Sequence, residues 1–102
     1  MGLFSSSITS DERDRIRRAC THKATALKQC EKINGVEACA RLASDYDLCR
    51  ASRVHACAAK ADVFEKCTRR VVQHTNAAED VPTCEKELKA MRKCLRARGA
   101  AS

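Results

Sequence analysis

The sequence predicts an all-α protein made of two antiparallel helical hairpins, each stapled by disulfide bonds. Three observations support this prediction. The chain of 102 residues carries eight cysteines, apolar residues recur at helical period around them, and the composition is too poor in large apolar residues for a conventional core. The cysteines fall into four C-x9-C pairs, which are Cys20/Cys30, Cys39/Cys49, Cys57/Cys67 and Cys84/Cys94.

The composition explains why cross-links are needed. Leu, Ile, Val and Phe together number 17, there is no Trp, and the net charge is +7. Such a combination is typical of chains that cannot bury enough apolar surface to fold. Four disulfides, each worth roughly 2–4 kcal/mol, would offset the missing core. We therefore expect the cysteines to hold the fold together.

The first two helices are predicted from local signals. Thr9 followed by Glu12 is a capping box, so a first helix is expected to begin near residue 10. Asn34-Gly35 supplies a left-handed stop for it. A second helix is expected to begin near Val36 and to carry the second cysteine pair.

A third helix is expected from about Arg53 to Val71, and a last one between Asp80-Val81-Pro82 and Arg98-Gly99. The middle two helices either continue unbroken through Ala51-Ser52 or break there, with Ser52 as an N-cap. We favour a break or bend, because it lets the two hairpins fold at an angle. An unbroken helix would instead place all four middle cysteines on one face of a long rod.

A sequence repeat accompanies the cysteines. Each unit approximates V-x2-C-x3-A-x2-(L/Y/F/M)-x2-C, which is an apolar stripe at helical period. The large residues three positions before the second cysteines are Leu27, Tyr46, Phe64 and Met91. Four copies of one helix type are the simplest description of this pattern.

The spacing also predicts the disulfide pairing. Ten residues of helix rise about 15 Å and return to nearly the same side, so both cysteines of a pair share a face. Two such helices packed antiparallel place the first cysteine of one opposite the second of the other. The predicted bonds are Cys20–Cys49, Cys30–Cys39, Cys57–Cys94 and Cys67–Cys84. An alternative, in which the first helix pairs with the third, remains open. The expected domains are a tail at 1–9, a first hairpin at 10–51 and a second at 52–99.

Other roles of the cysteines are disfavoured. No C-x2-C occurs, and cysteines three turns apart on one helix cannot share a zinc ion or form a redox dithiol. His22, His55 and His74 show no ligand spacing. We therefore expect no metal, no cofactor, no catalytic residue and no enzymatic activity.

The compartment is inferred from two features of the sequence that seldom occur together. Disulfide-rich chains belong to oxidising compartments, yet residues 1–10 have neither the basic region nor the apolar stretch of a secretory signal. The mitochondrial intermembrane space accommodates both features. We expect the protein to lie there, peripheral to the inner membrane.

These motifs resemble the twin C-x9-C, or coiled-coil-helix-coiled-coil-helix (CHCH), family of the intermembrane space, here present twice between Cys20 and Cys94. The resemblance implies import in the reduced form and trapping by a disulfide relay. The relay would recognise Leu42 and Tyr46 before Cys49, or Phe64 before Cys67. The four-motif form is similar to a double-domain accessory subunit of respiratory complex I. It implies a structural accessory subunit of an inner-membrane respiratory complex, complex I being favoured. A mitochondrial ribosomal subunit and a soluble assembly factor are the alternatives.

Surface features suggest partners. Basic clusters stand at Arg13-Asp14-Arg15-Ile16-Arg17-Arg18, at Arg69-Arg70 and at Arg92-Lys93-Cys94-Leu95-Arg96-Ala97-Arg98. Apart from solvated helix faces, they are suited to acidic protein subunits or anionic lipid headgroups. Nucleic acid is disfavoured, because aromatic residues do not alternate with the basic ones. Met1-Gly2 with Ser6 matches an N-myristoylation pattern at Gly2.

Overall fold

The computed structural model describes residues 7–73 and 84–99, and within these ranges it contains helices and no strands. The four α-helices are α1 (Ser10–Asn34), α2 (Ala40–Arg53), α3 (Ala58–Gln73) and α4 (Glu85–Ala97). α1 pairs with α2 and α3 pairs with α4, each pair being cross-linked by two disulfides. The predicted fold class, two stapled helical hairpins, is confirmed.

The predicted limits of α1 are confirmed by its caps. The Thr9 hydroxyl accepts the backbone N–H of Glu12 at 3.0 Å, and the Thr9 N–H donates to the Glu12 carboxylate at 2.9 Å. At the other end Gly35 adopts φ 87° and ψ 161°, and its N–H donates to the carbonyl of Glu31 at 3.0 Å. This positive φ favours glycine, although ψ differs from the left-handed helical value that we expected.

In the second and third copies of the repeat, the V-x2-C part forms a 3₁₀ turn that leads into a helix. Such turns lie at Glu37–Cys39 and His55–Cys57. Within them the N–H of Cys39 donates to the carbonyl of Val36 at 3.1 Å, and that of Cys57 to Val54 at 2.9 Å. The α-helices proper therefore begin later than predicted, at residues 40 and 58. A 3₁₀ start is a tighter turn with i→i+3 bonds, which helical periodicity does not separate from an α-helix.

The middle helices are broken, as we favoured, but the break lies at Val54. This residue is extended, with φ −102° and ψ 116°, and it is 1% exposed. Ser52 is not an N-cap, because it lies within α2 and its hydroxyl donates to the carbonyl of Cys49 at 2.9 Å. The turn folds α3 back along α2, so that Arg41 near the start of α2 lines the same groove as Val71 near the end of α3.

All four predicted disulfides are present. The bonds Cys20–Cys49, Cys30–Cys39, Cys57–Cys94 and Cys67–Cys84 join Cα atoms 5.8 to 6.0 Å apart. The alternative pairing of the first helix with the third is wrong. Equal cysteine spacing on both helices of a hairpin lets its two bonds close in the same antiparallel register.

The last helix ends near the predicted residues, at Ala97, and is followed by Gly99 with φ 73°. Its expected start at Asp80 and Pro82 lies outside the described residues. Cys84, which directly precedes α4, has φ 61°. This conformation is uncommon for a residue with a Cβ, and here the residue is tied to Cys67 by a disulfide.

The core belongs mainly to the second hairpin. Its buried residues are Ala51, Val54, Cys57, Ala61, Phe64, Cys67, Cys84, Met91 and Leu95. From the first hairpin, α1 adds Ile16 and α2 adds Leu48, with Ile8 packing from the segment before α1. The closed tip of that hairpin stays exposed, Ile33 by 78% and Val36 by 69%. The predicted domain limits remain a prediction, since α2 also packs against α3 and α4.

Candidate interaction surface

The cysteines leave no thiol for chemistry. All eight lie within the described residues, all are in disulfides, and none is free. Six of them are buried, while Cys30 and Cys94 are half-buried. A chain of four helices joined by four disulfides is consistent with a twin C-x9-C fold.

The residues predicted for the import relay fall in two places. Leu42, Tyr46 and Cys49 lie on one face of α2, and the first two are half-buried. Phe64 and Cys67 are 5% and 2% exposed in the core of the second hairpin. In the oxidised fold all five serve packing or cross-linking. Their role in import stays a prediction, since a relay would act on the reduced chain.

A charged network joins the two hairpins and was not predicted from the sequence. The Asp47 carboxylate on α2 accepts a hydrogen bond from Arg50 and another from Arg92 Nε on α4, the latter at 2.6 Å. The side chains of Asp47 and Arg50 are only 13% and 7% exposed. The Arg50 guanidinium also lies 4.5 Å from the centre of the Tyr46 ring. Because these charges are screened from water and hydrogen-bonded, the network fixes how α4 sits on α2.

Two further long-range contacts join the beginning of α1 to the turn before α3 and to the end of α4. Glu12, already part of the capping box, accepts the backbone N–H of His55 at 2.8 Å. The N–H of Ile8 donates to the carbonyl of Arg98 at 3.0 Å. The beginning of α1, the turn before α3 and the end of α4 therefore meet. We call residues 8–18, 53–55 and 96–98 the open end, because both hairpins are open there.

The electrostatics of Glu12 follow from these bonds. The backbone N–H of Thr9, and then that of His55, holds the pKa of the Glu12 carboxyl below its ordinary value of 4.5. Both donors favour the charged form and outweigh the small opposing effect of burial. The Glu12 carboxylate thus caps its own helix and also the 3₁₀ turn that begins at His55, 43 residues away in sequence.

The structure divides the predicted basic clusters. It brings the cluster at 13–18 together with Arg96 and Arg98 at the open end, where Arg53 joins them. Arg92 is instead part of the Asp47 network. Arg69 pairs with Glu65 on α3 at 3.1 Å. Arg53 was missed as a member of the cluster, and no local signal marked it, because only the turn at Val54 places it beside α1.

Grooves run along the exposed side of this junction. A cavity of about 510 Å³ is lined by Arg15, Arg18, Arg53 and His55, together with Glu12 and three small residues. It shares part of its lining with a second cavity of about 560 Å³ between α1, α2 and α3, which is lined by Lys23 as well as by Asp45, Asp62 and Glu65. The end of the groove nearest the open end is therefore basic, and its far end is mixed.

Within residues 7–73 and 84–99 there is no group of three or more His, Cys, Asp or Glu side chains able to hold a metal ion. No helix of this part of the chain has the length and apolar character needed to span a bilayer. His22 and His55 are exposed, whereas His74 and the predicted acylation site Gly2 lie outside the described residues.

Comparison of the chain with protein-family models, with curated proteins and with solved structures found no match.

Proposed function

We propose that this protein is a structural accessory subunit of a respiratory complex of the mitochondrial inner membrane. It would be bound peripherally from the intermembrane space, and complex I is the favoured complex. The observation that carries the proposal is the set of four interhelical disulfides, which uses every cysteine of the chain. Such a protein needs an oxidising compartment in order to fold.

The arrangement suits a scaffold. The disulfides hold the helices of each hairpin about 6 Å apart at the cysteines, so the surface is rigid without a large core. Most side chains that face water are charged or small, as on a subunit that presents charged faces to its neighbours. The Arg50–Asp47–Arg92 network further fixes the two hairpins relative to each other.

The absence of a free cysteine favours a structural subunit over a redox-active assembly factor. A factor that exchanges disulfides needs an accessible, reactive thiol, and the eight cysteines here are all paired. The protein would contribute shape, charge and cross-linked stability to its complex. We propose no catalytic step for it.

The decisive experiment is comigration. Mitochondria carrying a tagged copy are solubilised in mild detergent and run on a native gel, followed by a denaturing second dimension. We expect the protein to comigrate with one respiratory complex at fixed stoichiometry, and to be digested by protease only after the outer membrane is ruptured. A free, substoichiometric pool would favour an assembly factor. Comigration with ribosomal particles that is lost after ribonuclease treatment would favour a ribosomal subunit, and either outcome would overturn the proposal.

A matched pair of variants sharpens this test. The double variant Cys57→Ser/Cys94→Ser removes one of the two disulfides of the packed second hairpin and should abolish incorporation. Thr21→Ser changes an exposed residue on α1 that makes only a local hydrogen bond to the carbonyl of Arg17, and it should incorporate normally. If both variants incorporate equally, rigid stapling is not what the complex requires.

A further inference from the structure

The open end is where the molecule concentrates its positive charge. Residues 8–18, 53–55 and 96–98 contain seven arginines and three acidic residues, so they hold four of the seven net positive charges of the chain. Seven of the twelve arginines lie in these short ranges and none of the eight lysines does. The fold thus brings three separate segments together at one end of the molecule, where all the lysine and arginine residues are arginine.

The acidic residues of the open end are already engaged. Asp11 pairs with Arg15 at 3.1 Å and Asp14 with Arg17 at 3.2 Å, while Glu12 accepts two backbone N–H groups. Three other arginines, Arg13, Arg18 and Arg53, are exposed and have no ion-pair partner among residues 7–73 and 84–99. Arg53 Nη1 donates to the neighbouring Ser52 hydroxyl at 2.7 Å, so the three guanidinium groups still have donors for an external anion.

Two properties indicate which anion. Arginine presents a planar fork of donors that binds phosphate oxygens in pairs, which lysine does not do. The groove lined by Arg15, Arg18 and Arg53 is wide enough, at about 510 Å³, for a phosphate group with its substituents. The open end is therefore suited to phosphate monoanions or diesters arranged at a surface.

The sequence that adjoins this end favours a lipid surface over an acidic protein. Ile8, which is hydrogen-bonded to Arg98, follows in sequence a stretch that includes Leu3 and Phe4. Leucine and phenylalanine side chains partition into the headgroup region of a bilayer, and apolar residues combined with basic ones give peripheral proteins stable membrane binding.

We propose that the open end docks on the phosphate headgroups of an anionic bilayer. This inference deepens the proposed function, on which it rests, by assigning the face with which a peripheral subunit meets its membrane. The closed tip of the first hairpin, at Ile33 and Val36, then points away from the lipid. Arg13, Arg18 and Arg53 contact phosphates, and the engaged carboxylates do not repel them because their charge is offset by neighbouring arginines and backbone donors.

The test is vesicle flotation with the oxidised full chain. Vesicles of phosphatidylcholine with 30 mol% phosphatidylglycerol, or of phosphatidylcholine alone, are incubated with protein at low and at high salt. We expect binding to the anionic vesicles only, decreasing as salt screens the charges. Equal binding to neutral vesicles would overturn the proposal.

Two triple variants with equal charge change locate the surface. Arg13→Gln/Arg18→Gln/Arg53→Gln removes three cations of the open end, and Lys28→Gln/Lys60→Gln/Lys86→Gln removes three exposed cations elsewhere. Since each basic residue near an anionic surface changes partition about fivefold, the arginine variant should lose about 100-fold and the lysine variant less than about fivefold. Equal losses would refute a localised surface. Circular dichroism and non-reducing mass spectrometry verify that both variants keep the fold and the four disulfides.

Three further results distinguish a competing occupant, the lipid inference and the proposed function. If the protein binds fluorescent poly-glutamate but not anionic vesicles, the open end is a protein-docking surface and the proposal is wrong. If vesicle binding fails while the protein still comigrates with a respiratory complex, only the lipid inference fails. If the protein binds vesicles but is absent from every complex, the proposed function fails and the surface assignment survives.

Discussion

The unequal packing of the two hairpins leads to a sharp prediction at matched positions of the repeat. Leu27 and Met91 both stand seven residues after the first cysteine of their pair and have similar volumes. Met91 is fully buried, at 0% exposure, whereas Leu27 is half-buried. Truncating each to alanine therefore compares the same repeat position with and without a core around it.

The magnitude for Met91→Ala follows from the rigidity of its site. Replacing a buried methionine by alanine costs about 2–5 kcal/mol, and more when the cavity cannot collapse. Here the Cys57–Cys94 and Cys67–Cys84 bonds hold α4 at a Cα separation of 5.8 Å from α3, so the helices cannot move in to fill the space. We expect a loss of about 3–4 kcal/mol in the free energy of unfolding. For Leu27→Ala, at a partly solvated site, we expect about 1 kcal/mol.

The assay is urea unfolding under non-reducing conditions, followed by far-ultraviolet circular dichroism. In thermal unfolding, the free energy that Met91→Ala is expected to lose corresponds to a decrease of about 15 °C in Tm for a domain of this size. The double variant should be additive within about 0.5 kcal/mol, because Leu27 is not part of the core cluster that contains Met91. Equal losses at both positions, or a larger loss at Leu27, would refute the conclusion that the second hairpin holds the core.

Three further predictions concern single contacts. Glu12→Gln should destabilise the protein at pH 7, and the difference in unfolding free energy from wild type should narrow as pH falls below about 4.5. The reason is that the lowered pKa of Glu12 gives stability that is lost when the folded carboxylate protonates. Urea unfolding at pH 7 and at pH 3 measures this difference, and a difference independent of pH would contradict the prediction. Asp47→Ala should cost about 3 kcal/mol by leaving buried cationic charge, measured in the same way, and a loss below about 1 kcal/mol would count against the network. Cys30→Ser/Cys39→Ser, which opens a loop with a sequence separation of 9, should cost about 2.6 kcal/mol, with faster amide exchange confined to the tip at 28–41, and a global loss of protection would show the expectation to be wrong.

Controls for these predictions come from the same structure. Asp62→Ala removes an exposed i,i+4 pair with Lys66 and should cost less than about 0.5 kcal/mol, against which Asp47→Ala is compared. Glu87→Gln is a matched change in the first turn of α4 and should destabilise the protein at pH 7 less than Glu12→Gln does. Exchange of the core amides in α3 serves as the internal reference for the tip variant.

Local signals predicted much of this fold because they act over one or two turns of chain. The Thr9–Glu12 capping box set the beginning of α1, and Gly35 set its end. The ten-residue cysteine spacing was sufficient for all four disulfides, since helical geometry leaves few ways to bring the thiols together. Whether the middle helices continue or break was left open, and the favoured break at Ala51-Ser52 was placed early, because Val54 becomes extended where the core buries it and the next residues form a 3₁₀ turn.

The candidate surface was less predictable because its contacts are distant in sequence. Glu12 and His55 are 43 residues apart, and Asp47 and Arg92 are 45 apart. Neither pair has a spacing that marks it, and Arg53 joins the arginines of α1 only through the turn at Val54. Four copies of one repeat likewise gave no indication that Phe64 and Met91 are buried while Leu27 and Tyr46 remain half-exposed.

By itself the sequence determined that the chain is helical, where α1 begins and ends, and the favoured partner of every cysteine. These depend on periodicity, cap chemistry and the rise of a helix, all of which are properties of a short segment. The tertiary structure alone decided how the second hairpin folds back on the first, which copy of the repeat forms the core, and which charges meet. The reason is that burial and ion pairing depend on which faces come together, and repeated, chemically similar faces leave that choice to the packing of the whole chain.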